Sequence, residues 1–139
     1  MTIQPITSST TLTADKAWLV GLHGTDTTET VTLDVTKLTP NTHYQASADT
    51  RQPYSRVLSG VPVGRITASG LYGAFDPTAV DGRQVLAGVV YAEALFSPNS
   101  TRVPAALLWH GVVRAARVPG GIDPTKVTPS STGAQIRFV

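Results

Sequence analysis

The sequence predicts a mostly β fold with at most one or two short helical turns, and three observations support this fold class. Residues 1–50 contain fourteen threonines, a β-branched residue type that favours extended backbone. One segment alternates strictly between apolar and polar residues, as a half-buried strand does. The remaining apolar residues fall into short runs separated by Gly, Pro and Asp, which is typical of all-β folds.

The chain is predicted to consist of an arm and one domain. With 139 residues it is long enough for a single domain with its own core. Residues 1–13 have no cluster of large apolar side chains and are expected to form an extended arm that cannot fold alone. Residues 14–139 are expected to form a single β-rich domain. It begins with the short segment Lys16–Val20, which fits either a helical turn or a strand.

The clearest strand signal lies at residues 30–36. Val31, Leu33 and Val35 fall on one face of this segment, and three threonines and an aspartate fall on the other. Residues 40–53 are polar and rich in turn-forming residues, so we expect a long loop there.

Short strands are predicted from five later apolar runs: Arg56–Leu58, Val61–Thr67, Val85–Ala94, Ala105–Val118 and Ala134–Val139. Two of these runs contain an internal glycine, Gly88 and Gly111, where we expect a bulge or a close approach of another backbone segment.

Two short segments predict turns. Asp81–Gly82 fits a tight turn before Val85. Asp123 followed by Pro124 fits the start of a short helix, with Asp as the cap and Pro in the first position. Pro129 is expected to end that helix within about one turn.

Composition argues against several classes of protein. Charged residues make up 14% of the chain, the net charge is +2, and the arginines are scattered singly. Nucleic-acid binding normally requires clustered basic residues, so no nucleic-acid partner is expected. No apolar stretch is long enough for a membrane span and no secretion signal is visible, so we expect synthesis in the cytoplasm. Without cysteine, stability must come from packing or from association with other chains.

No metal site or cofactor site is predicted. The three histidines, His23, His43 and His110, are far apart in sequence and lack the spacing of common metal ligands. A site built from them would require the fold to bring them together. The simpler expectation is that His23 and His43 lie in loops and that His110 lies in a strand.

Catalytic residues are equally hard to find. Asp76 and Asp81 are one candidate acid–base pair, but the following Pro77 and Gly82 favour two turns. There is no Gly-x-Ser-x-Gly motif and no phosphate-binding glycine loop. The sparse aromatic residues do not alternate with basic ones, so we expect them to serve in the core or as interface anchors.

One fragment has a weak likeness to an enzyme family. The residues Gly120-Gly121-Ile122-Asp123 resemble the Gly-x-Ile-Asp segment of trimeric dUTP pyrophosphatases. In that family the aspartate activates water beside a tyrosine that stacks on the base. No tyrosine follows Tyr91 in this chain, so a glycine turn is the preferred interpretation.

A broader resemblance covers the chain from about residue 28 onward. Residues 57–67 (VLSGVPVGRIT) are followed by Gly70-Leu71-Tyr72 and by residues 79–90 (AVDGRQVLAGVV). This order of a glycine-rich strand, a Tyr-containing turn, an Asp-Gly turn and an apolar strand resembles the head decoration proteins of tailed bacteriophages, the family typified by phage lambda. Residues 29–33, 108–113 and 133–139 are similar to other strands of that family, whereas residues 44–53 form a longer segment than is usual in it.

The resemblance implies a compact β-clip-like fold that assembles as a homotrimer. It also implies binding to the major capsid protein on the outer surface of an expanded head, which the trimer would stabilise against the pressure of packaged DNA. The arm would pair with the shell. The residues assigned to it are Thr2, Ile3, Gln4, Pro5, Ile6, Thr7, Thr10, Thr11 and Leu12.

The trimer contact is expected near Phe96 and Trp109. Two other functions remain open at this point. One is a dUTP pyrophosphatase-like trimeric enzyme, which shares the β-clip scaffold. The other is a tail or baseplate β-domain that binds a host surface and would present an exposed aromatic patch.

Overall fold

The computed structural model describes residues 15–47, 54–127 and 134–139, and the predicted arm lies outside these ranges. The described residues form short strands and three single-turn 3-10 helices, which confirms the mostly β fold, with one helical turn more than expected. The strands are β1 (Glu29–Asp34), β2 (Tyr44–Gln45), β3 (Ser55–Val57), β4 (Pro62–Arg65), β5 (Tyr72–Ala74), β6 (Gly88–Val90), β7 (Ala94–Phe96), β8 (Arg102–Leu108), β9 (His110–Val113) and β10 (Gln135–Phe138). The 3-10 turns are Val35–Lys37, Ala115–Arg117 and Pro124–Lys126.

Five strands form a closed barrel in the order β1, β5, β4, β6, β8. The barrel closes because β8 pairs with β1 in antiparallel register from Glu29 opposite Leu107 to Asp34 opposite Arg102. Only the β1–β5 pair of this barrel is parallel.

Two smaller sheets lie beside the barrel. One has the order β2, β3, β7, and the other pairs β9 with β10 in parallel. The strand β2 falls inside residues 40–53, where the sequence predicted only a loop. It forms because Tyr44 and Gln45 pair with Val57 and Arg56 of β3, a long-range partner that local composition does not reveal.

The predicted strand at residues 30–36 ends early. Val31 and Leu33 are buried in β1 as expected, but Val35 begins a 3-10 turn. The cause is Asp34, whose side chain accepts hydrogen bonds from the backbone N–H and the hydroxyl of Thr36. Asp123 caps the turn Pro124–Lys126 in the same way, and here the sequence prediction is confirmed.

Two apolar runs are divided in the structure. The run at residues 85–94 contributes β6 and the start of β7. Val85 lies before β6, where its N–H donates to the carbonyl of Gly82 in the predicted turn. The run at residues 105–118 is divided at Trp109 into β8 and β9. The Trp109 indole N–H donates to the carbonyl of Thr27 at 2.7 Å.

The close backbone approaches predicted at Gly88 and Gly111 are present. A Cβ at Gly88 would lie 2.4 Å from the Leu108 carbonyl oxygen. A Cβ at Gly111 would lie 2.9 Å from the carbonyl oxygen of His23. Since real side chains do not tolerate such distances, both strands depend on glycine at these points.

Buried apolar residues form two cores. The barrel core takes its residues from the barrel strands, from β3 and β7 and from the segments beside them, and contains Val31, Leu33, Leu38, Val57, Val61, Val63, Ala74, Val90, Phe96, Val103, Ala105 and Leu107. The outer core lies against the opposite faces of β6 and β8, beneath β9 and β10, and contains Trp18, Val89, Leu108, Val113 and Val118. None of the helical turns in the described ranges is long and apolar enough to cross a lipid bilayer.

Candidate functional site

The two residues expected at a trimer contact differ in their surroundings. Phe96 is only 6% exposed in the barrel core and packs edge-on against Tyr44, with ring centroids 5.7 Å apart. Little of its side chain is left for another chain to contact. Trp109 is half-buried against the barrel core and stacks on His110, so part of its ring faces outward.

Other large apolar side chains are more exposed than either of these. Leu22 is 78% exposed, Val80 95%, Leu95 55% and Tyr54 53%. None of them stands out in the sequence, because local composition gives no sign of which apolar side chains the fold leaves uncovered.

Tyr54 and Leu95 belong to one surface. Arg56 of β3 lies opposite Leu95 of β7, and Ser55 lies opposite Phe96. Because side chains alternate along a strand, Ser55 and Phe96 face the core, whereas Tyr54, Arg56 and Leu95 face outward. We call this surface, together with Glu93, the β3–β7 face.

An ion pair neutralises the charge of the β3–β7 face. Arg56 Nη1 lies 3.0 Å and 3.2 Å from the two carboxylate oxygens of Glu93. Both side chains are largely covered, at 22% and 14% exposed. The face therefore presents two large apolar groups around a pair that carries no net charge, which suits a contact with protein rather than with a charged ligand.

The central part of the segment that resembles decoration proteins, residues 62–90, contributes three neighbouring strands of the barrel. The strand β4 lies between β5 and β6, and Gly64 of β4 leaves no room for a Cβ beside the backbone of Arg83. Gly82, with φ of +117°, would place a Cβ 2.2 Å from the carbonyl oxygen of Arg65. The glycine pattern is thus a requirement of the fold, and by itself it assigns no activity.

The carboxylates weighed as catalytic groups are engaged in turns. Asp76 accepts hydrogen bonds from the hydroxyl and backbone N–H of Thr78, and these bonds lower the pKa of Asp76. Thr125 lowers the pKa of Asp123 in the same way. Asp81 binds the guanidinium of Arg83 at 3.0 Å. These interactions favour the charged form of a carboxylate, whereas a general acid must hold its proton near neutral pH.

The histidines differ from expectation in one respect. His23 and His43 lie in turns and His110 lies in β9, as predicted. However, the fold brings His23 and His110 together, with their Nε2 atoms 3.3 Å apart. His43 lies elsewhere and accepts a hydrogen bond at Nδ1 from the Thr39 backbone, and partial burial lowers its pKa.

Among the described residues no group of three or more His, Cys, Asp or Glu side chains converges on a common point. No protein-family model matches the chain, and no curated protein is significantly similar to it.

Proposed function

We propose that this chain is a capsid decoration protein that binds the outer surface of an expanded phage head as a homotrimer and stabilises it against internal pressure. The observation that carries the proposal is the β3–β7 face, where Tyr54 and Leu95 remain more than half exposed around a neutral ion pair. The order of motifs along β4, β5 and β6 supports it independently.

The β3–β7 face is suited to contact between copies of the chain. About half of the Leu95 side chain remains exposed. Its burial in an interface would contribute about 1 kcal/mol per chain to the free energy of association. Because Arg56 and Glu93 already satisfy each other's charge, two copies can approach without burying an unpaired charge. In a closed ring of three chains, the β3–β7 face of one chain would pack against a different surface of the next, and the gain would be repeated at each of the three interfaces.

Binding to the shell is assigned to residues 2–12 of the arm. A threonine-rich extended segment can add to the edge of a sheet in another protein, where main-chain hydrogen bonds supply most of the affinity. The three arms of a trimer would act together and raise the apparent affinity well above that of one arm.

The oligomer is tested by sedimentation equilibrium of the wild-type chain and of a Tyr54→Ser/Leu95→Ser double variant. We expect a trimer for the wild type and a shift towards monomer for the variant. Leu22→Ser is the matched control, because it removes a still more exposed leucine from a different surface and should leave the trimer intact. A wild-type chain that is monomeric at all concentrations would contradict the proposal.

Shell binding is tested by mixing the purified protein with empty expanded heads. We expect saturable binding in a fixed ratio, abolished by removal of residues 2–12 while trimers persist. A chain that does not bind heads but hydrolyses dUTP in the presence of magnesium would support the enzyme alternative. Selective binding on a glycan array would support the host-binding alternative.

A further inference from the structure

We propose that His23 and His110 form a binding site for a divalent transition-metal ion, with Zn²⁺ as the expected ligand. This inference is independent of the proposed capsid role. It rests on the distance between the two imidazoles, on how the backbone holds them together and on the cavity beside them.

The distance between the two ring nitrogens matches that of a chelate. The two Nε2 atoms are 3.3 Å apart. Two imidazoles on one tetrahedral zinc ion, each with a Zn–N bond of about 2.0–2.1 Å, have their nitrogens about 3.3–3.4 Å apart. The rings are inclined at 74° with centroids 4.6 Å apart, and the side chains must rotate to aim both nitrogens at one ion.

The two backbone segments that carry the histidines are closely packed against each other. Gly24 has φ of +81°, and a Cβ at this position would overlap the His110 carbonyl oxygen at 1.9 Å. On the opposite side, a Cβ at Gly111 would lie 2.9 Å from the His23 carbonyl oxygen. The residues that follow each histidine must therefore be glycine for the turn and the strand to approach this closely.

The turn that carries His23 is internally braced. The hydroxyls of Thr25 and Thr27 donate to the carbonyls of Leu22 and Gly24 at 2.7 Å and 2.9 Å. The Trp109 ring stacks on His110 at 5.4 Å between centroids while its N–H holds the end of the turn at Thr27. Because the backbone that carries both histidines is already ordered, ion binding costs little conformational entropy.

The environment has room for an ion and its remaining ligands. His23 and His110 line a cavity of about 590 Å³, together with Gln135 and Arg137 of β10. Gln135 lies opposite His110 in the β9–β10 register and lines the same cavity, so its amide oxygen is a candidate third ligand. The charge of Arg137 opposes a cation, and for this reason we expect reversible binding of modest strength.

Neutral imidazole nitrogens suit Zn²⁺, Cu²⁺ and Ni²⁺ better than Ca²⁺ or Mg²⁺, which prefer oxygen ligands. In the metal-free pair one Nε2–H donates to the other Nε2. Zinc bonded to both Nε2 atoms requires that this proton move to Nδ1 of the same ring through solvent. A bound ion would then join the turn at residues 22–27 to β9.

The test uses the full chain without an affinity tag, treated with EDTA and then titrated with ZnCl₂. Histidine side-chain NMR should show shifts of the His23 and His110 imidazole resonances, with His43 unaffected. Calorimetry should give one zinc ion per chain, and the melting temperature should rise with zinc. Imidazole resonances of His23 and His110 that stay unchanged at millimolar zinc would overturn the proposal.

Variants separate the site from adventitious binding. His23→Asn and His110→Asn should each weaken zinc binding at least about tenfold, since loss of even an outer-shell partner of a metal ligand costs about 10–100-fold. His43→Asn is the matched control and should keep the wild-type affinity and the zinc-dependent rise in melting temperature. Zinc binding that survives in His23→Asn, or that disappears in His43→Asn while the protein stays folded, would contradict the assignment.

Discussion

The two cores of the molecule are assembled in different ways. The barrel core takes alternate residues from paired strands, such as Val31 and Leu33 of β1 opposite Ala105 and Val103 of β8. The outer core takes its residues from separate segments, and Trp18 at its centre comes from a turn with no strand of its own.

The strands β6 and β8 are shared by both cores. Val90 and Leu107 face the barrel core, whereas their neighbours Val89 and Leu108 face the outer core. A strand buried on both faces has consecutive apolar residues instead of alternating ones. The consecutive pairs Val89-Val90 and Leu107-Leu108 therefore mark a second packed layer outside the barrel.

The largest expected effect is at the centre of the outer core. Trp18 is 1% exposed, and its indole N–H donates to Ser59 Oγ at 3.0 Å. Trp18→Ala should lower the free energy of unfolding by about 3–5 kcal/mol, measured by urea denaturation. If the outer core were a loose surface layer, the loss would be under about 1 kcal/mol.

Two further variants are compared with Trp18→Ala in the same urea denaturation assay. Trp18→Phe keeps most of the apolar surface but leaves Ser59 without its donor, so it should cost less than Trp18→Ala. Leu33→Ala, in the barrel core and fully buried, should cost about 2–5 kcal/mol. A single transition that coincides by fluorescence and by circular dichroism in both variants would show that the two cores unfold as one cooperative unit.

Substitutions at two glycines allow steric crowding in the two regions to be compared. Gly82 packs against the barrel strand β4 and has no room for a Cβ, whereas Gly121, with φ of +74° beside the outer core, has no atom within 4 Å of that position. Gly121→Ala should cost only the left-handed backbone penalty of about 1–2 kcal/mol. Gly82→Ala should cost clearly more by the same denaturation assay, and a cost no larger than that of Gly121→Ala would refute the steric argument.

The smallest expected effect concerns His43, which lies where the two regions meet. Its Nε2 faces Gly120, while its Nδ1 accepts from Thr39. Burial lowers the pKa of His43 in the folded chain, so the unfolded chain binds more protons below about pH 6.5 and stability falls on acidification.

This pH dependence is measured by urea denaturation at about pH 7.5 and about pH 5.5. His43→Gln should reduce the loss of stability between the two pH values relative to wild type. The His23→Asn variant, which breaks the hydrogen bond between His23 and His110, measures the contribution of the other two histidines separately. An unchanged pH dependence in His43→Gln would contradict the role assigned to burial.

Local patterns in the sequence predicted what depends on local physics. The alternation around Val31 and Leu33 predicted β1, and the Asp123-Pro124 pair predicted a capped turn, because both depend on near neighbours. The strand β2 and the meeting of His23 with His110 could not be predicted, since each depends on a partner far along the chain. The exposure of Tyr54 and Leu95 could likewise not be predicted, because it depends on which face of the β2–β3–β7 sheet the barrel covers.

The bonds around Val113 bear on where the protein can be extended by engineering. Leu19 forms a bridge with Val113, and the Val139 N–H donates to the Val113 carbonyl at 2.9 Å. Residues 19 and 139 are therefore spatial neighbours, so a peptide joined to residue 139 would begin beside the segment at residues 15–19. An insertion next to Val80, at an exposed loop tip, would keep a displayed epitope away from that crowded junction.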